Sequence, residues 1–368
     1  MASRSTISRI SEISVDFHPL RVLEVSPLTE DSVAVTFDVP EELTETFRYI
    51  PGQHVTVRAV IDGEDVRRSY SICSNAAGGK LRVGIKRLPG GVFSAWAIEE
   101  LRAGDVMDVM PPVGEFTIDP DPSRPGHRVA IAAGSGVTPV LSLIGTTLEM
   151  EPGSSWTLLY GNRTANTVMF LEELEGLKDR YPGRFQLFHL LSREGSDLPF
   201  LSGRIDEGKI RIVHDRLLGG REVAGWYLCG PYDMVMMARR TLADLGVDEA
   251  LIHDELFFAG PLDPDSLPPE PPPGEGSVDL TVILDGRAVE TRMMPETSIL
   301  DAALRVRSEL PFSCKGGMCA TCKGRIEEGE VRMDKNYALV DTELEAGYVL
   351  TCQSHPVSNR VVVRYDHR

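Results

Sequence analysis

Four cysteines in the last quarter of the chain have the spacing of iron–sulfur ligands. Cys314, Cys319 and Cys322 form a CxxxxCxxC pattern, and Cys352 follows after a long gap. This is the plant-type ligand pattern of a [2Fe-2S] cluster. Gly316 and the glycine after it lack a Cβ, so the backbone can wrap closely around two irons. The pattern therefore predicts a [2Fe-2S] site held by these four thiolates.

Zinc and disulfide bonds are the alternative uses of these cysteines. Structural zinc sites usually combine two close cysteine pairs, whereas the second half of this pattern is a single cysteine. Disulfides need an oxidising compartment. Because no apolar signal segment follows Met1, we expect a cytoplasmic location, where the thiolates stay free for iron.

Length and composition restrict the class of protein. With 368 residues the chain is long enough for two or three domains, and 42% apolar with 25% charged residues is typical of globular proteins. No apolar run approaches the roughly 20 residues of a membrane-spanning helix. The net charge of -17 argues against nucleic acid and anionic lipid as partners, since both require a basic face.

The N-terminal third is predicted to be an antiparallel β-barrel. Residues 1–16 are expected to be a disordered tail, with a transit peptide as the alternative. From 17 to 122, short β-rich runs alternate with glycine and proline turns, which is typical of a small closed barrel. Strand alternation places Arg68 and Tyr70 on one face. A cation beside an aromatic ring suits a flat, phosphorylated ligand, although an ordinary edge strand has the same pattern.

A glycine pair precedes a predicted helix inside this segment. Gly90 and Gly91 come directly before Val92 and a helical stretch that is expected to reach about Leu101. Glycines that open a helix leave free N–H groups at the positive end of the helix dipole, where a pyrophosphate can bind. A plain turn before a helix is the alternative.

Residues 126–259 have the alternating pattern of a doubly wound parallel α/β sheet. Helices are expected to start near Thr138, Val168 and Tyr232. The predicted strands cover 128–133, 156–160, 185–191, 226–229 and 250–258.

The first turn of this sheet suggests a dinucleotide. Gly134, Gly136 and Pro139 form a GxGxxP pattern, which lacks the last glycine of the full fingerprint. The pattern stands where a strand meets a helix, and proline suits an early helical position. At the carboxyl edge of the fourth strand, Cys229 and Gly230 occupy a typical ligand position, although Cys229 can equally be a buried small hydrophobic residue.

Arginines replace the acid that usually selects NAD. Arg163 stands at the end of the second strand, and Arg193 follows Ser192 after the third. Arginine favours a 2′-phosphate, so the pattern predicts NADPH. Arg193 can also be an ordinary solvated surface residue.

A Pro-rich linker at 260–276 is expected to lead into the cysteine domain at 277–368. In that domain the sequence predicts a hairpin around Asp285 and Gly286 and a capping box of Ser298 with Asp301. It also predicts a helix to about Leu310 and a closing strand at 361–365.

Five motifs make the chain resemble the ferredoxin-NADP reductase superfamily with a C-terminal plant-type ferredoxin domain. The resemblance covers nearly the whole chain after Phe17. It implies a multidomain fold with a FAD-binding barrel, a NADP-binding α/β domain and a β-grasp ferredoxin domain. The motifs are RSYSIC at 68–73, AAGSGVTP at 132–139, YGNRT at 160–164, CKGGMCATCK at 314–323 and GYVLTCQ at 347–353.

The resemblance also assigns roles to residues. It implies a catalytic group of Tyr70, Ser71, Cys229 and Glu255. The implied cofactor contacts are Arg68, Tyr70 and Ser71 for the flavin, Gly91, Val92 and Ser94 for its pyrophosphate, Gly134, Gly136, Thr138, Pro139, Cys229 and Gly230 for the nicotinamide nucleotide, Arg163, Ser192 and Arg193 for the 2′-phosphate, and Phe257 beside Glu255 over the flavin ring.

The implied activity is an electron-transferring reductase. A hydride would pass from NADPH to FAD, and single electrons would leave through the cluster to oxygenase subunits. The partner that the resemblance implies is a di-iron oxygenase acting on phenylacetyl-CoA. A Rieske-type steroid or aromatic-ring oxygenase is the alternative, and a stand-alone electron carrier is another. The acids that could steer docking, or form a solvated face, are Glu327, Glu328, Glu330, Asp341, Glu343 and Glu345.

Overall fold

The computed structural model of the protein describes residues 7–8, 17–257, 267–274, 276–284, 286–307, 310–312, 315–317 and 320–365. The predicted ligands Cys314 and Cys319 and the turn residue Asp285 lie outside these ranges. So do most of the predicted tail and the first part of the predicted linker. The chain forms two compact units, one of Met1–His18, Thr56–Ser69 and Ala259–Arg368, the other of Pro19–Val55 and Tyr70–Phe258.

Two residues of the predicted disordered tail lie in a strand. The short strand β1 (Ile7–Ser8) pairs in parallel with Val331 and Arg332.

The N-terminal third forms the predicted antiparallel barrel sheet. The elements are β2 (His18–Thr29), β3 (Ser32–Asp38), β4 (His54–Ile61), β5 (Glu64–Ser71), β6 (Leu81–Lys86), helix α1 (Val92–Glu99) and β7 (Val106–Val109). The strand order is β5-β4-β7-β2-β3-β6. Asp62 and Gly63 close the β4–β5 hairpin with φ angles of 53° and 84°, as the Asp-Gly turns of tight hairpins require.

The middle of the chain forms the predicted parallel sheet. The elements are β8 (His127–Ala133), α2 (Val137–Met150), β9 (Ser155–Asn162), α3 (Leu171–Arg180), β10 (Phe185–Leu191), α4 (Glu207–Ile212), β11 (Val223–Gly230), α5 (Tyr232–Asp244) and β12 (Ile252–Leu256). The strand order is β10-β9-β8-β11-β12, so the direction of winding reverses between β8 and β11, where such sheets bind ligands.

Alternating strand residues bury the two faces of this sheet under different helices. On β8, Ala130 and Ala132 face the core formed with α2 and α3, whereas Val129 and Ile131 face the core formed with α4 and α5. The sequence pattern missed α4. Helix α3 begins three residues later than predicted, because Phe170 has a φ of 58° and cannot be helical.

The C-terminal domain consists of β-grasp elements that include the predicted hairpin, helix and closing strand. They are β13 (Val278–Leu284), β14 (Arg287–Met293), α6 (Ile299–Leu304), β15 (Lys323–Glu328), β16 (Val331–Met333), α7 (Asp341–Glu345), β17 (Tyr348–Leu350), β18 (Ser354–Pro356) and β19 (Arg360–Arg364). The sheets have the orders β14-β13-β19-β15-β17 and β1-β16-β18. Helix α6 is almost wholly buried and packs against β13 and β14.

Helix α6 starts as predicted and ends early. The Asp301 amide donates to Ser298 Oγ over 3.1 Å, which confirms the predicted N-cap. The expected extension to about Leu310 is wrong, because the helix ends at Leu304. The buried Arg307 guanidinium reaches the carbonyl of Leu284 over 3.3 Å, and its amide donates to the Ala303 carbonyl over 2.9 Å.

The described end of the Pro-rich segment is held against the C-terminal domain. Arg305 Nη1 donates to the carbonyl oxygens of Pro268 and Pro269, each over 2.7 Å. Proline lacks an N–H, so its carbonyl is the only backbone group it offers. One arginine thus satisfies two such carbonyls.

Among the described residues, no helix has the length and apolar character needed to cross a membrane.

We predict that Gly136→Ala destabilises the protein. A Cβ at Gly136 would lie 2.2 Å from the backbone oxygen of Cys229, and backbone atoms cannot move aside cheaply. The expected loss is about 2 kcal/mol or more, measured by urea unfolding. The control is Gly176→Ala inside α3, where a Cβ meets nothing within 4 Å and alanine should stabilise by about 0.5–1 kcal/mol. Equal stability of the two variants would contradict the prediction.

Candidate active site

A buried carboxyl group lies at the centre of the site. Ser71, the last residue of β5, donates through Oγ to Glu255 Oε2 on β12 over 2.9 Å. The Glu255 side chain is 14% exposed. Burial raises the pKa of Glu255 to about 7, and the hydrogen bond from Ser71 opposes that rise. Glu255 can therefore gain or lose a proton near neutral pH.

A buried histidine faces the same carboxyl group. His54 on β4 is 2% exposed, and its Nδ1 lies 3.9 Å from Glu255 Oε1. Burial lowers the pKa of His54 to about 4, so the contact at pH 7 joins a neutral imidazole to the carboxyl group and is not an ion pair. Neither ring nitrogen has a hydrogen-bond partner within the described part of the chain. Sequence reasoning missed His54, because a single histidine in a strand belongs to no motif.

Cys229 lies opposite Glu255 in the sheet. The two residues are register partners on β11 and β12. Burial, with the nearby Glu255 and Asp254 carboxyls, raises the pKa of the Cys229 thiol well above its usual value. The thiol is therefore protonated and is no nucleophile at neutral pH. The Phe257 amide donates to the carbonyl of the next residue, Gly230, over 3.0 Å, which holds the end of β12 beside the end of β11.

Cys73, two residues after Ser71, is also buried. Burial raises the pKa of its thiol to about 12. It behaves as a small hydrophobic residue of the core.

The glycine turn lies at the carboxyl edge of β8. Gly134, with a φ of 55°, and Gly136 form a short 3-10 turn before α2. The close approach of Gly136 to Cys229 holds this turn against β11. Thr138 is buried and donates through Oγ1 to the Ser135 carbonyl over 2.9 Å, so its hydroxyl shapes the turn. Pro139 follows it, buried in the first turn of α2.

The structure brings the two predicted arginine segments together. The Arg193 amide donates to the Arg163 carbonyl over 2.8 Å, and the Ser192 amide donates to the Asn162 carbonyl over 2.9 Å. The side chains of Arg163 and Arg193 are exposed, and neither forms an ion pair with another described residue. A nearby acid, Glu194, accepts from the Ala165 amide over 2.9 Å.

Tyr70 lies against the first turn of α1. Its ring centroid is 5.7 Å from that of Phe93. Arg68 has other contacts, since its Nη1 donates to the Arg67 carbonyl over 2.7 Å and reaches Thr321 Oγ1 at 3.4 Å. Both contacts lie in the unit that contains the cysteine domain.

The predicted pyrophosphate residues lie at the start of α1. Gly91 is the N-cap, and the helix begins at Val92 with no acid in its first turn. Ser94 Oγ accepts from the Leu88 amide over 3.0 Å and donates to the Gly91 carbonyl over 3.1 Å. The Ser94 hydroxyl therefore holds the loop, and the backbone N–H groups are what the helix start offers to an anion.

Two of the four predicted cluster cysteines are described. Cys322 and Cys352 are both buried cysteines. Their segments are tied together, because Thr351 Oγ1 donates to the Cys322 carbonyl and Gln353 Nε2 to the Lys315 carbonyl, each over 2.8 Å. The segment before Cys322 has positive φ angles, 49° at Lys315, 81° at Gly317 and 50° at Ala320.

Three family models match successive parts of the chain. An oxidoreductase FAD-binding domain matches residues 19–118, an oxidoreductase NAD-binding domain matches 130–240, and a 2Fe-2S iron-sulfur cluster binding domain matches 282–357.

Two relatives match this chain over nearly its whole length. The sequence is 44% identical to a subunit of 1,2-phenylacetyl-CoA epoxidase from Escherichia coli (strain K12), over 95% of this chain and 98% of that protein. The chain belongs to the ferredoxin-NADP reductase superfamily. This reductase is also 30% identical to the ferredoxin reductase component of 3-ketosteroid-9-alpha-monooxygenase from Rhodococcus rhodochrous, over 94% of this chain and 96% of that protein.

The fold of the reductase is found in solved structures. Phthalate dioxygenase reductase matches with a TM-score of 0.55 and 21% identity, over 95% of this chain and 98% of that one. The predicted fold class is confirmed: a barrel sheet, a parallel α/β sheet and a ferredoxin domain. The chain is an oxidoreductase with FAD-binding, NAD-binding and 2Fe-2S domains.

The described residues of the reductase fit these cofactors. Cys322 and Cys352 supply thiol donors, and the positive φ angles between Lys315 and Ala320 curve the loop as a cluster requires. For the flavin, the buried His54 nitrogens and the Ser71–Glu255 pair provide polar groups at one place. The acid-free start of α1 suits a pyrophosphate.

We predict that Glu255→Gln changes how stability depends on pH. Because the pKa of Glu255 is raised from 4.5 to about 7 in the fold, ionising it costs stability as pH rises through that interval. The lowered pKa of His54 acts oppositely, since stability increases as pH rises from about 4 to 6.5. In Glu255→Gln the pH-dependent contribution of Glu255 is removed and that of His54 remains. The free energy of unfolding of the variant should therefore exceed that of the unmodified protein by on the order of 3 kcal/mol at most near pH 7.

Urea unfolding between pH 4.5 and 7.5 measures this difference. The control is Glu222→Gln, at an exposed position, which should leave the pH profile unchanged. A Glu255→Gln profile parallel to that of the unmodified protein would show that the carboxyl group does not titrate in this range.

Proposed function

We propose that this reductase takes electrons from NADPH and delivers them to the oxygenase of a phenylacetyl-CoA epoxidase system in the cytoplasm. The observation that carries the proposal is the 44% identity to the epoxidase protein of Escherichia coli, over nearly the full length of both chains. When bound, FAD accepts a two-electron hydride, and a [2Fe-2S] cluster passes electrons on singly.

Ser71 and Glu255 are the proposed proton-handling pair. Ser71 Oγ holds Glu255 Oε2 by a hydrogen bond, and the pKa of Glu255 near 7 lets it hold or release a proton at cellular pH. His54 stays neutral beside it and keeps the pocket free of a fixed charge. Cys229 contributes a small, protonated thiol, against which a planar nicotinamide ring can pack without meeting a negative charge.

Other residues bind and orient. Tyr70 and Phe257 are proposed to lie against the flavin ring, with Arg68 near its phosphorylated chain. The proposed pyrophosphate contacts are the backbone N–H groups at Gly91, Val92 and Ser94. The proposed nicotinamide nucleotide contacts are Gly134, Gly136, Thr138, Pro139, Cys229 and Gly230.

The cluster ligands are proposed to be Cys314, Cys319, Cys322 and Cys352. Thr351 and Gln353 flank Cys352 and bind backbone carbonyls of the other cysteine segment. These two hydrogen bonds join the segment of Cys352 to the carbonyls of Cys322 and Lys315, which supports the proposal.

We propose NADPH and not NADH as the electron donor because two positively charged side chains could bind its 2′-phosphate. Arg163 and Arg193 are exposed on adjoining segments joined by a backbone hydrogen bond, and Ser192 lies beside them. A 2′-phosphate between the guanidinium groups would receive charge-assisted hydrogen bonds. Glu194 is directed to the Ala165 amide, which occupies one of its oxygens.

We predict that Arg163→Ala and Arg193→Ala each raise KM for NADPH by about one to two decades, since a hydrogen bond to a charged group is worth about 1.5 to 3 kcal/mol. KM for NADH should hardly change. Steady-state dye reduction with both nucleotides measures the difference. Arg180→Ala, at an exposed position at the end of α3, is the control. Equal use of both nucleotides by the unmodified protein would contradict the assignment.

Ion pairs formed by acids of the C-terminal domain reduce the acidic surface that is available to a partner protein. Glu327 pairs with Arg364 at 2.5 Å, and Glu328 pairs with Arg360 at 3.6 Å. Glu343 is largely buried between two cations. At least three of the six acids predicted to steer docking are therefore paired within the chain, and we propose that charge steering contributes little to partner choice.

The decisive assay mixes the reductase with the epoxidase oxygenase subunits and follows NADPH oxidation. We predict oxidation that depends on phenylacetyl-CoA and changes only modestly with salt, because paired charges steer weakly. The control omits the oxygenase subunits. Because the chain is similar to the reductase component of a 3-ketosteroid monooxygenase, a steroid oxygenase is the second candidate for the electron acceptor. Turnover with that oxygenase, and none with the epoxidase subunits, would overturn the proposal.

A further inference from the structure

One face of helix α2 is attached to the N-terminal barrel by buried polar side chains. Ser142 Oγ donates to the Ser74 carbonyl over 2.7 Å, and Thr146 Oγ1 accepts from the Ala76 amide over 2.9 Å. All of these residues belong to one compact unit. Because residues four apart lie on the same side of a helix, Thr138 in the first turn of α2 belongs to the same face. The helix is therefore held on the barrel, and Thr138 lies at the end that carries the glycine turn.

Thr138 meets the barrel at a residue that has no side chain. Gly84 is a buried residue of β6. A Cβ at this position would lie 2.7 Å from Thr138 Cγ2 and 3.0 Å from Phe170 Cζ, which is closer than carbon atoms pack. The Thr138 side chain cannot turn away at low cost, because a β-branched residue in a helix has few favourable rotamers and its hydroxyl is bonded to the Ser135 carbonyl. The absence of a side chain at Gly84 therefore allows the start of α2 to lie directly on β6.

The aromatic ring in this contact belongs to a residue with an unfavourable backbone conformation. Phe170 directly precedes α3, is 2% exposed and has φ and ψ angles of 58° and 30°. A bulky residue keeps this left-handed conformation only where the surrounding structure enforces it. Arg82 of β6 lies with its guanidinium 5.3 Å from the centre of the Phe170 ring and pairs with Glu173 of α3 at 2.7 Å. The strain at Phe170 therefore coincides with a ring that is packed against the barrel.

The segment of Phe170 is also joined to the glycine turn. Tyr160 Oη donates to the Gly134 carbonyl over 3.0 Å and lies 3.5 Å from the carbonyl of Met169, the residue before Phe170. Tyr160 is fully buried. The barrel strand, the strained residue and the turn that is proposed to bind the nicotinamide nucleotide therefore form one packed group within a single compact unit.

We propose that Gly84 and Phe170 are positioning residues that set how closely the glycine turn, and with it a bound nicotinamide nucleotide, approaches the barrel. The inference rests on the proposed function and adds a determinant of its first step. In that step NADPH gives a hydride, which is two electrons and one proton, to FAD and leaves as NADP+. The rate of such a transfer depends on a geometry that tolerates little displacement. Arg163 and Arg193, the proposed 2′-phosphate contacts, lie on other segments, so displacement of the turn lowers the rate of hydride transfer more than the affinity for the nucleotide.

The first test is Gly84→Ala in the holoprotein, by rapid mixing with saturating NADPH and by equilibrium titration with NADP+. The limiting rate of flavin reduction, followed by absorbance, should fall about tenfold or more, whereas Kd for NADP+ should change by less than about threefold. Thr138→Ser removes the methyl group that would clash and keeps the hydroxyl. In a Thr138→Ser background, Gly84→Ala should therefore slow flavin reduction by less than about threefold.

A second variant and a second measurement do not depend on Gly84→Ala. Phe170→Leu removes the ring and leaves space beside Gly84. Flavin reduction should again be slower, and hydrogen exchange of the amides at 134–138 should become faster in the resting holoprotein. The control is Gly78→Ala, at an exposed position of the same barrel where a Cβ meets nothing within 4 Å. This control should change neither flavin reduction nor exchange in the turn.

The outcomes separate the two proposals. Flavin reduction at the unmodified rate in both Gly84→Ala and Phe170→Leu would overturn the positioning role and leave the proposed function intact. An effect of Gly84→Ala that is equally large in the Thr138→Ser background would also overturn it, because the displacement would not then pass through Thr138. An unmodified protein whose flavin is not reduced by NADPH would instead overturn the proposed function.

Discussion

The candidate active site depends on one carboxyl group that is largely buried, with no cation among its described neighbours. The groups around Glu255 are a serine hydroxyl, a neutral imidazole and a protonated thiol. Each of them is uncharged at neutral pH, so burial dominates and the pKa of Glu255 rises to about 7. A lysine or arginine at any of these places would return the carboxyl group to permanent ionisation. The identity of its uncharged neighbours is therefore as important as the glutamate.

Backbone proximity is the second constraint on the site. The turn at Gly136 touches the backbone of Cys229, and only a residue without a Cβ fits there. This contact joins the carboxyl ends of β8 and β11, between which the winding of the sheet reverses. Cys229 is in turn the register partner of Glu255, so the glycine turn and the carboxyl group are connected through two adjacent strands.

Local patterns in the sequence predicted most of the fold and part of the site. Strand periodicity, the pairing of β13 with β14 and the Ser298 cap depend on residues close in the chain, and the observed elements match them. The end of α6 does not, since the observed helix ends at Leu304 and not near Leu310. His54 was missed because its importance comes from the fold that places it beside Glu255.

The two arginines of β5 also show that a sequence motif does not identify contacts between distant segments of the chain. In the sequence, Arg68 belongs to a motif and Arg67 does not. In the structure, Arg67 makes the shorter contact with the C-terminal domain, 3.1 Å to Glu343, whereas Arg68 lies 3.4 Å from Thr321. A motif reports which residues surround a cofactor, whereas a contact between segments more than 250 residues apart leaves no local pattern.

The two cysteines outside the cluster pattern have a practical consequence for chemical labelling. Cys73 and Cys229 are buried, and burial keeps both thiols protonated at neutral pH. Maleimides and similar alkylating reagents react with accessible thiolates, so the folded protein should present neither residue to them. A cysteine that is alkylated in the native protein should then lie in the C-terminal domain. The extent of alkylation would therefore measure the fraction of chains in which the cluster cysteines are not bound to iron.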